Sequence, residues 1–226
     1  MNQQTESINP ATGESLGFSK LHSVDDLKQM IHRARETQKL WEQLSIDERV
    51  KYLLKIRDFI VENADRIAET ISRDNGKTRV DALATEVLPA SMAVSYYCNN
   101  ANRFLRDKKI HGGNVILINK RSKIIRVPYG VVGIISPWNY PFAIPLSEVI
   151  MGLLAGNAVV LKTASETQMV GLILKEAIEA AKLPKGIFNY INLPGKIAGD
   201  AFLDCGMNKI FFTGSVTIGK YLMEKA

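Results

Sequence analysis

From Pro128 onward, short apolar runs alternate with longer segments that repeat at helical spacing. The apolar runs are residues 131–135, 158–162, 188–191 and 209–212. Short, fully apolar runs are typical of strands that are buried on both faces, and strands that alternate with helices form parallel sheets through right-handed crossovers. We therefore predict an α/β fold in which helices cover both faces of a parallel sheet, giving three α/β/α layers.

The preceding region has a different pattern. Residues 1–109 predict mainly helices, and two of these begin at Ser23 and Ser45, each followed three positions later by an acidic residue that completes a capping-box signature. Two further apolar runs, 115–118 and 123–127, flank a basic turn and predict a β-hairpin. The chain thus combines N-terminal helices, a hairpin and the parallel sheet.

Charge and composition argue against several classes of protein. The formal net charge is +6, but basic residues are interspersed with acidic ones, and the one dense basic stretch, 120–126, fits a solvated hairpin better than a nucleic-acid site. No apolar run approaches the ~20 residues of a membrane helix, and the N-terminus lacks the features of a secretory signal. Two cysteines, Cys98 and Cys205, cannot form a disulfide framework, and three scattered histidines predict no metal site. We expect a cytoplasmic protein.

Candidate ligand-binding residues follow the strands, because open parallel sheets bind ligands at the carboxyl ends of their strands. After the first strand, two prolines flank Trp138 and Asn139 and fix the backbone. A rigidly held asparagine amide can donate to a developing oxyanion, although a purely structural aromatic turn is the alternative. Lys162 ends the second strand, where it could reach a ribose hydroxyl or a phosphate, or be an ordinary surface lysine.

The other two strand ends carry glycines. Gly195 and Gly199 could let the backbone approach a ligand, or form a simple turn. Residues 212–219 contain a glycine turn that leads into a helix, whose free N–H groups and positive dipole end suit a pyrophosphate. This segment matches neither the G-x-G-x-x-G nor the G-x-x-x-x-G-K-[ST] phosphate loop, so alone it is a weak signal.

Taken together, these motifs resemble the aldehyde dehydrogenase superfamily in both order and spacing. The resemblance rests on Pro137–Phe142, on the strand that ends in Lys162 and on Phe212–Gly219, with further similarity at Asn9–Gly13 and Asp74–Lys77. It covers essentially all 226 residues. It implies a Rossmann-like sheet that binds NAD or NADP and an enzyme that oxidises an aldehyde to an acid.

The resemblance also implies roles for individual residues. Asn139 would be the side-chain half of the oxyanion hole, Lys162 would bind the adenosine ribose, and Ser215 would hold the pyrophosphate. Gly195 and Gly199 would lie near the adenine. The remaining implied cofactor-binding residues are Ile135, Ser136, Pro137, Trp138, Ser165, Phe212, Thr213, Gly214 and Ile218.

Ser165 departs from the family pattern. The family often has a glutamate here, three residues after the lysine, which binds the ribose hydroxyls; in this sequence Glu166 lies one position later. A carboxylate would repel a 2′-phosphate, whereas serine leaves room for one. The sequence therefore leaves NAD and NADP equally open.

The expected domain organisation is a truncated cofactor-binding domain over residues 1–226, with a helical segment at 1–109, a hairpin at 110–127 and an incomplete Rossmann-like unit at 128–226. The resemblance implies that the catalytic domain is absent, because the nucleophilic cysteine and the general-base glutamate would lie beyond Ala226. We expect the chain alone to be inactive, and its parent to act on a small-molecule aldehyde as a homo-oligomer, a dimer or tetramer that assembles through the hairpin.

Two alternatives remain open. The chain could be a non-catalytic shortened product that binds nucleotide or self-associates. It could also belong to an acyl-phosphate or acyl-CoA-linked reductase of the same superfamily, although the turn that carries Asn139 favours the hydrolytic dehydrogenases.

Overall fold

The computed structural model describes residues 4–110, 113–114 and 119–226. Its helices and strands are β1 (Gln4–Ile8), β2 (Ser15–Lys20), α1 (Val24–Trp41), α2 (Ile46–Glu62), α3 (Ala64–Asn75), α4 (Arg79–Ala82), α5 (Leu88–Leu105), β3 (Lys108–Ile110), β4 (Ser122–Ile124), β5 (Val131–Ile135), α6 (Ala143–Leu154), β6 (Ala158–Lys162), α7 (Gln168–Glu179), β7 (Phe188–Tyr190), α8 (Gly195–Asp204), β8 (Lys209–Phe212) and α9 (Val216–Lys225).

The predicted parallel α/β sheet is confirmed. Its strand order is β7-β6-β5-β8, and every neighbouring pair is parallel. The chain moves outward from β5 through β6 to β7 and then crosses back to β8, so right-handed crossovers place α6 and α7 on one face and α8 on the other. The direction of the crossovers reverses between β5 and β8, which makes this gap the switch point of the sheet.

The two helix starts predicted in the N-terminal region are confirmed. Ser23 and Ser45 both form complete capping boxes, and α3 ends at Gly76, whose φ of +85° is a left-handed conformation that favours glycine. The indole N–H of Trp41, which is fully buried, donates to the carbonyl oxygen of Leu153 at 2.9 Å. This bond attaches the end of α1 to the end of α6.

Two buried carboxylates from the N-terminal region cap helices of the sheet region. Asp74, at the end of α3, accepts a hydrogen bond from the backbone N–H of Val170 in the first turn of α7 at 2.9 Å. Glu86 accepts one from the backbone N–H of Phe142 at 2.8 Å, at the start of α6. The first N–H groups of a helix have no partner within the helix, so both carboxylates satisfy donors that would otherwise be buried unpaired.

Three sequence expectations need correction. In the hairpin, β4 ends at Ile124 rather than at Val127, because its partner strand, 108–110, is only three residues long. The other predicted strand, 115–118, lies outside the described residues. The sequence-based prediction assigned residues 108 and 109 to the helical segment and only Ile110 to the hairpin, since three residues carry too little periodicity to predict a strand. It also missed β2, which pairs antiparallel with β1.

Between α4 and α5 the predicted helical segment contains a π-helical turn, Leu83–Val87, just before Pro89. Proline has no N–H and its ring crowds the preceding turn, which favours such a change of pitch. This turn carries Glu86, the residue that caps the start of α6.

Candidate functional site

A cleft of about 740 Å³ opens at the carboxyl ends of the sheet strands, over the switch point between β5 and β8. Its size is within the usual range for small-molecule sites. The structure brings all the sequence-predicted site residues together in its lining: Ile135, Ser136, Pro137, Trp138, Asn139, Lys162, Ser165, Gly195, Gly199, Phe212, Thr213, Gly214, Ser215 and Ile218. Residues that are far apart in the chain thus face one space.

The turn after β5 presents Asn139 to the cleft. The Asn139 side-chain oxygen accepts a hydrogen bond from the backbone N–H of Tyr140 at 3.0 Å, so the amide NH₂ is the end that is left to donate to a ligand. Trp138 is 58% exposed, and its backbone carbonyl accepts from the Asn75 side chain at 2.8 Å. The turn is therefore anchored to the end of α3.

Glu86 fixes the other end of the same turn. Its side chain is fully buried, accepts hydrogen bonds from the backbone N–H groups of Phe142 at 2.8 Å and Ala143 at 3.1 Å, and forms an ion pair with Lys77. The Lys77 ammonium lies 4.0 Å from the centroid of the Tyr140 ring. Neither residue was predicted from the sequence, because their contacts with the turn span more than fifty positions and leave no local signal.

Lys162 ends β6 and is only 5% exposed. Burial lowers the pKa of its ammonium, and the nearby Glu166 partly offsets this effect. An ammonium removed from water needs polar partners, and the cleft is the open side from which a ligand could supply them. Ser165, in the short 3₁₀ turn that follows, lines the same wall.

The opposite wall is formed by the starts of α8 and α9. Gly195 opens α8, and a Cβ placed there would meet no atom within 4 Å, so the cleft is open at this point. At Gly199 a Cβ would lie 2.7 Å from Leu222 Cδ2, so this glycine also allows α8 to pack against α9. Ser215 caps α9 by accepting from the backbone N–H of Ile218 at 3.4 Å, and the helix dipole makes this end favourable for an anion.

Glu148 was not identified from the sequence. It extends from α6 and accepts hydrogen bonds from the hydroxyls of Ser136, after β5, and Thr213, after β8. Burial raises the pKa of its carboxyl, while the two hydroxyl donors act in the opposite direction. A lone charged residue in the otherwise uncharged sequence of α6 is the signal that could have indicated it.

Within the described residues, no group of three or more histidine, cysteine, aspartate or glutamate side chains is placed to hold a metal ion. Among the helices of the same part of the chain, none has the length and apolar character that crossing a membrane requires.

The fold and the cleft define a protein with a Rossmann-like sheet and a cleft at its switch point. The family model described as "Aldehyde dehydrogenase family" matches residues 1–226. The chain belongs to the aldehyde dehydrogenase family.

Individual relatives support this assignment. The chain is 33% identical over 219 residues to the 4,4'-diapolycopene aldehyde oxidase of a Methylomonas species, covering 97% of this chain and 41% of the relative. It is 34% identical over 216 residues to the NADP-dependent glyceraldehyde-3-phosphate dehydrogenase of Streptococcus equinus, covering 94% and 45%. The chain therefore spans less than half of the length of these relatives.

Solved structures show the same fold. A crystal structure of aldehyde dehydrogenase from Brucella melitensis biovar abortus 2308 superposes with a TM-score of 0.91 at 28% identity, covering 99% of this chain and 45% of that one. The structure of 3,6-anhydro-L-galactose dehydrogenase in complex with NAP has a TM-score of 0.88 at 27% identity, covering 98% and 46%.

Proposed function

We propose that this chain is the cofactor-binding part of an aldehyde dehydrogenase, an oxidoreductase that uses NAD(P)⁺ to convert an aldehyde to a carboxylic acid. The observation that carries the proposal is the convergence of the predicted site residues on one cleft at the switch point of the sheet. The cleft fits a dinucleotide because it combines a buried cation, Lys162, with the N-terminal ends of two helices.

Each wall would contribute differently. The Lys162 ammonium would hold a ribose hydroxyl or a phosphate, and the start of α9 at Ser215 would receive the pyrophosphate. The bound cofactor would supply the chemistry of hydride acceptance. Asn139 would direct its amide NH₂ toward the oxygen of the reacting carbonyl, where a fixed donor stabilises developing negative charge.

We expect the chain alone to be inactive. The family chemistry requires a reactive thiolate, and neither cysteine of this chain provides one at the cleft. Burial raises the pKa of the Cys98 thiol to about 11, so it carries almost no thiolate near neutral pH. Cys205 lies outside the cleft lining, and burial also raises its pKa. Both thiols are free, which supports a reducing compartment such as the cytoplasm.

The proposal includes either NAD or NADP as the cofactor. Ser165 removes the carboxylate that would repel a 2′-phosphate, and Lys196 also lines the cleft, which supports NADP. Glu166 lines the same wall and supports NAD.

Titration of the chain with NAD⁺ and with NADP⁺, followed by tryptophan fluorescence, tests the proposal. We expect saturable binding, and a loss of about tenfold or more in affinity for Lys162→Met, because a charge-assisted hydrogen bond is removed. Lys175→Met is the matched control, since Lys175 pairs with Glu179 on the exposed side of α7. A folded wild-type chain that binds neither nucleotide would contradict the proposal.

Self-association is a second candidate function, and the hairpin favours it. All residues of β3 and β4 are exposed, including Ile110 at 47% and Ile124 at 46%. Apolar side chains on an exposed two-stranded ribbon suit an interface between copies of the chain. Light scattering over a range of concentrations would show a mass above that of one chain; a single-chain mass at every concentration would exclude this candidate.

A further inference from the structure

Glu148 joins the two sides of the switch point. Its Oε2 accepts a hydrogen bond from the Ser136 hydroxyl at 3.1 Å, and its Oε1 accepts one from the Thr213 hydroxyl at 2.8 Å. Ser136 immediately follows β5, and Thr213 immediately follows β8. One carboxylate therefore spans the gap at which a ligand of such a sheet is expected to bind.

The direction of these hydrogen bonds is determined by the chemistry of the groups. An ionised carboxylate has no proton, so both hydroxyls must donate to it. A hydroxyl has one proton, so Ser136 and Thr213 retain only lone pairs for any other partner. Both residues line the cleft. At the switch point, their side chains can therefore accept a hydrogen bond from a ligand but cannot donate one.

We propose that Glu148 is a positioning residue that holds the hydroxyls of Ser136 and Thr213 as acceptors, so that this point of the cleft selects a hydrogen-bond donor of the bound ligand. The inference rests on the proposed function. The group it selects is an amide or hydroxyl of the dinucleotide, whereas a phosphate oxygen, which can only accept, is disfavoured there.

The strand ends do not depend on Glu148 alone for their spacing. The backbone N–H of Thr213 donates to the carbonyl oxygen of Ile135 at 3.0 Å, and that of Ser136 donates to the carbonyl oxygen of Lys162 at 3.0 Å. These bonds keep β8, β5 and β6 in register at the cleft. A change at Glu148 that preserves shape should therefore alter hydrogen-bond direction without separating the strands.

Protonation of Glu148 should have the same effect as its replacement. Burial raises the pKa of this carboxyl, opposed by its two hydroxyl donors. α6 has no charged residue besides Glu148. Glu148 also lines a surface groove, in which Tyr129 is the one other titratable side chain among the described residues. Once protonated, the carboxyl donates to one hydroxyl, and the proton of that hydroxyl becomes free to point into the cleft.

The test is Glu148→Gln. The amide NH₂ of the glutamine donates to one of the two hydroxyls, which reverses the direction of that hydrogen bond and leaves the hydroxyl proton free for the cleft. We expect the Kd for the dinucleotide to rise about three- to tenfold at pH 8, the effect of one hydrogen bond. The wild-type affinity should fall on acidification through a range above that of an ordinary glutamate, whereas the variant should lack this step. Glu176→Gln is the matched control, because Glu176 lies on the exposed side of α7 and pairs with Arg66.

Equal affinities and equal pH profiles for the wild type and Glu148→Gln would overturn the inference while leaving the proposed function standing. A folded wild type that binds no dinucleotide would overturn both. Circular dichroism verifies that the variant is folded. If it is not, Thr213→Val keeps the side-chain shape and removes one acceptor, and it should raise the Kd by a similar factor; an unchanged Kd for that variant would also overturn the inference.

Discussion

The two walls of the cleft are built differently. On the β6 side, every residue of the strand is buried and β5 and β7 flank it. On the β8 side, the strand lies at an edge with alternating exposure, and Leu222 is the buried residue of α9. The first wall is held by a hydrophobic core. The second is held by polar contacts, such as the hydrogen bonds from Tyr221 and Lys225 to Asp200, both at 2.7 Å.

This difference indicates which part of the site is preformed. Core packing has one well-defined arrangement, so the position of Lys162 is set when the chain folds. Exposed polar contacts contribute little each and are weakened by salt. We therefore expect the α8–α9 wall to adjust when a ligand binds and the β6 wall to stay fixed.

The largest expected effect is on stability. Leu161→Ala should lower the free energy of unfolding by about 2–5 kcal/mol, because Leu161 is fully buried and its truncation leaves a cavity. Phe211→Ala should cost much less, since Phe211 is 40% exposed at the edge strand. Urea unfolding at equilibrium measures both. Similar losses would show that β8 is packed as firmly as β6.

The second prediction compares a tyrosine on each side of the cleft, Tyr190 on β7 and Tyr221 on α9. Burial raises the pKa of Tyr190, on β7, to about 12, against an ordinary value near 10. The Tyr190 hydroxyl ionises at a lower pH in the unfolded chain than in the folded one. The folded state should therefore lose stability as pH rises from 10 toward 12, by about 2–3 kcal/mol in total.

Tyr190→Phe should flatten this alkaline loss of stability, measured by urea unfolding at several pH values. The hydrogen bond to Asp200 also raises the pKa of Tyr221, but this tyrosine lies on exposed α9, so the matched variant Tyr221→Phe should leave most of the alkaline loss in place. An alkaline loss of the same size in Tyr190→Phe as in the wild type would contradict the assignment.

The smallest effect concerns two glycines of α8. Gly199→Ala places a methyl group 2.7 Å from Cδ2 of Leu222, so the Leu222 side chain must shift, at a cost of about 1–3 kcal/mol. The better helix propensity of alanine returns about 1 kcal/mol of this. The net destabilisation should therefore be small, but nucleotide binding should weaken.

Gly195→Ala is the control for stability, because nothing lies within 4 Å of its Cβ position. It should leave unfolding unchanged in a thermal melt. If Gly199→Ala left both the melting temperature and the Kd unaltered, the α8–α9 wall would have no role in forming the site.

The sequence predicted the parts of the molecule that have local or periodic signals. The strands β5, β6 and β8 are apolar runs, and their carboxyl ends share one edge for topological reasons, so Lys162 and Ser215 could be placed at one site. Glu86 could not, because the turn that it caps is distant in the chain, and Glu148 left only its lone charge within α6 as a signal. The same holds for the hairpin, since the pairing of residues 108–110 with 122–124 depends on tertiary position.

The capping of α6 by Glu86 has a consequence for the order of structural events. The amides of Phe142 and Ala143 are bonded to a side chain from another layer, so no local fluctuation of α6 can free them while the layers stay docked. In hydrogen exchange they should rank with the slowest amides of the chain, opening only in global unfolding. The turn that presents Asn139 would then form only when the layers dock and would be among the most persistent parts of the molecule once formed.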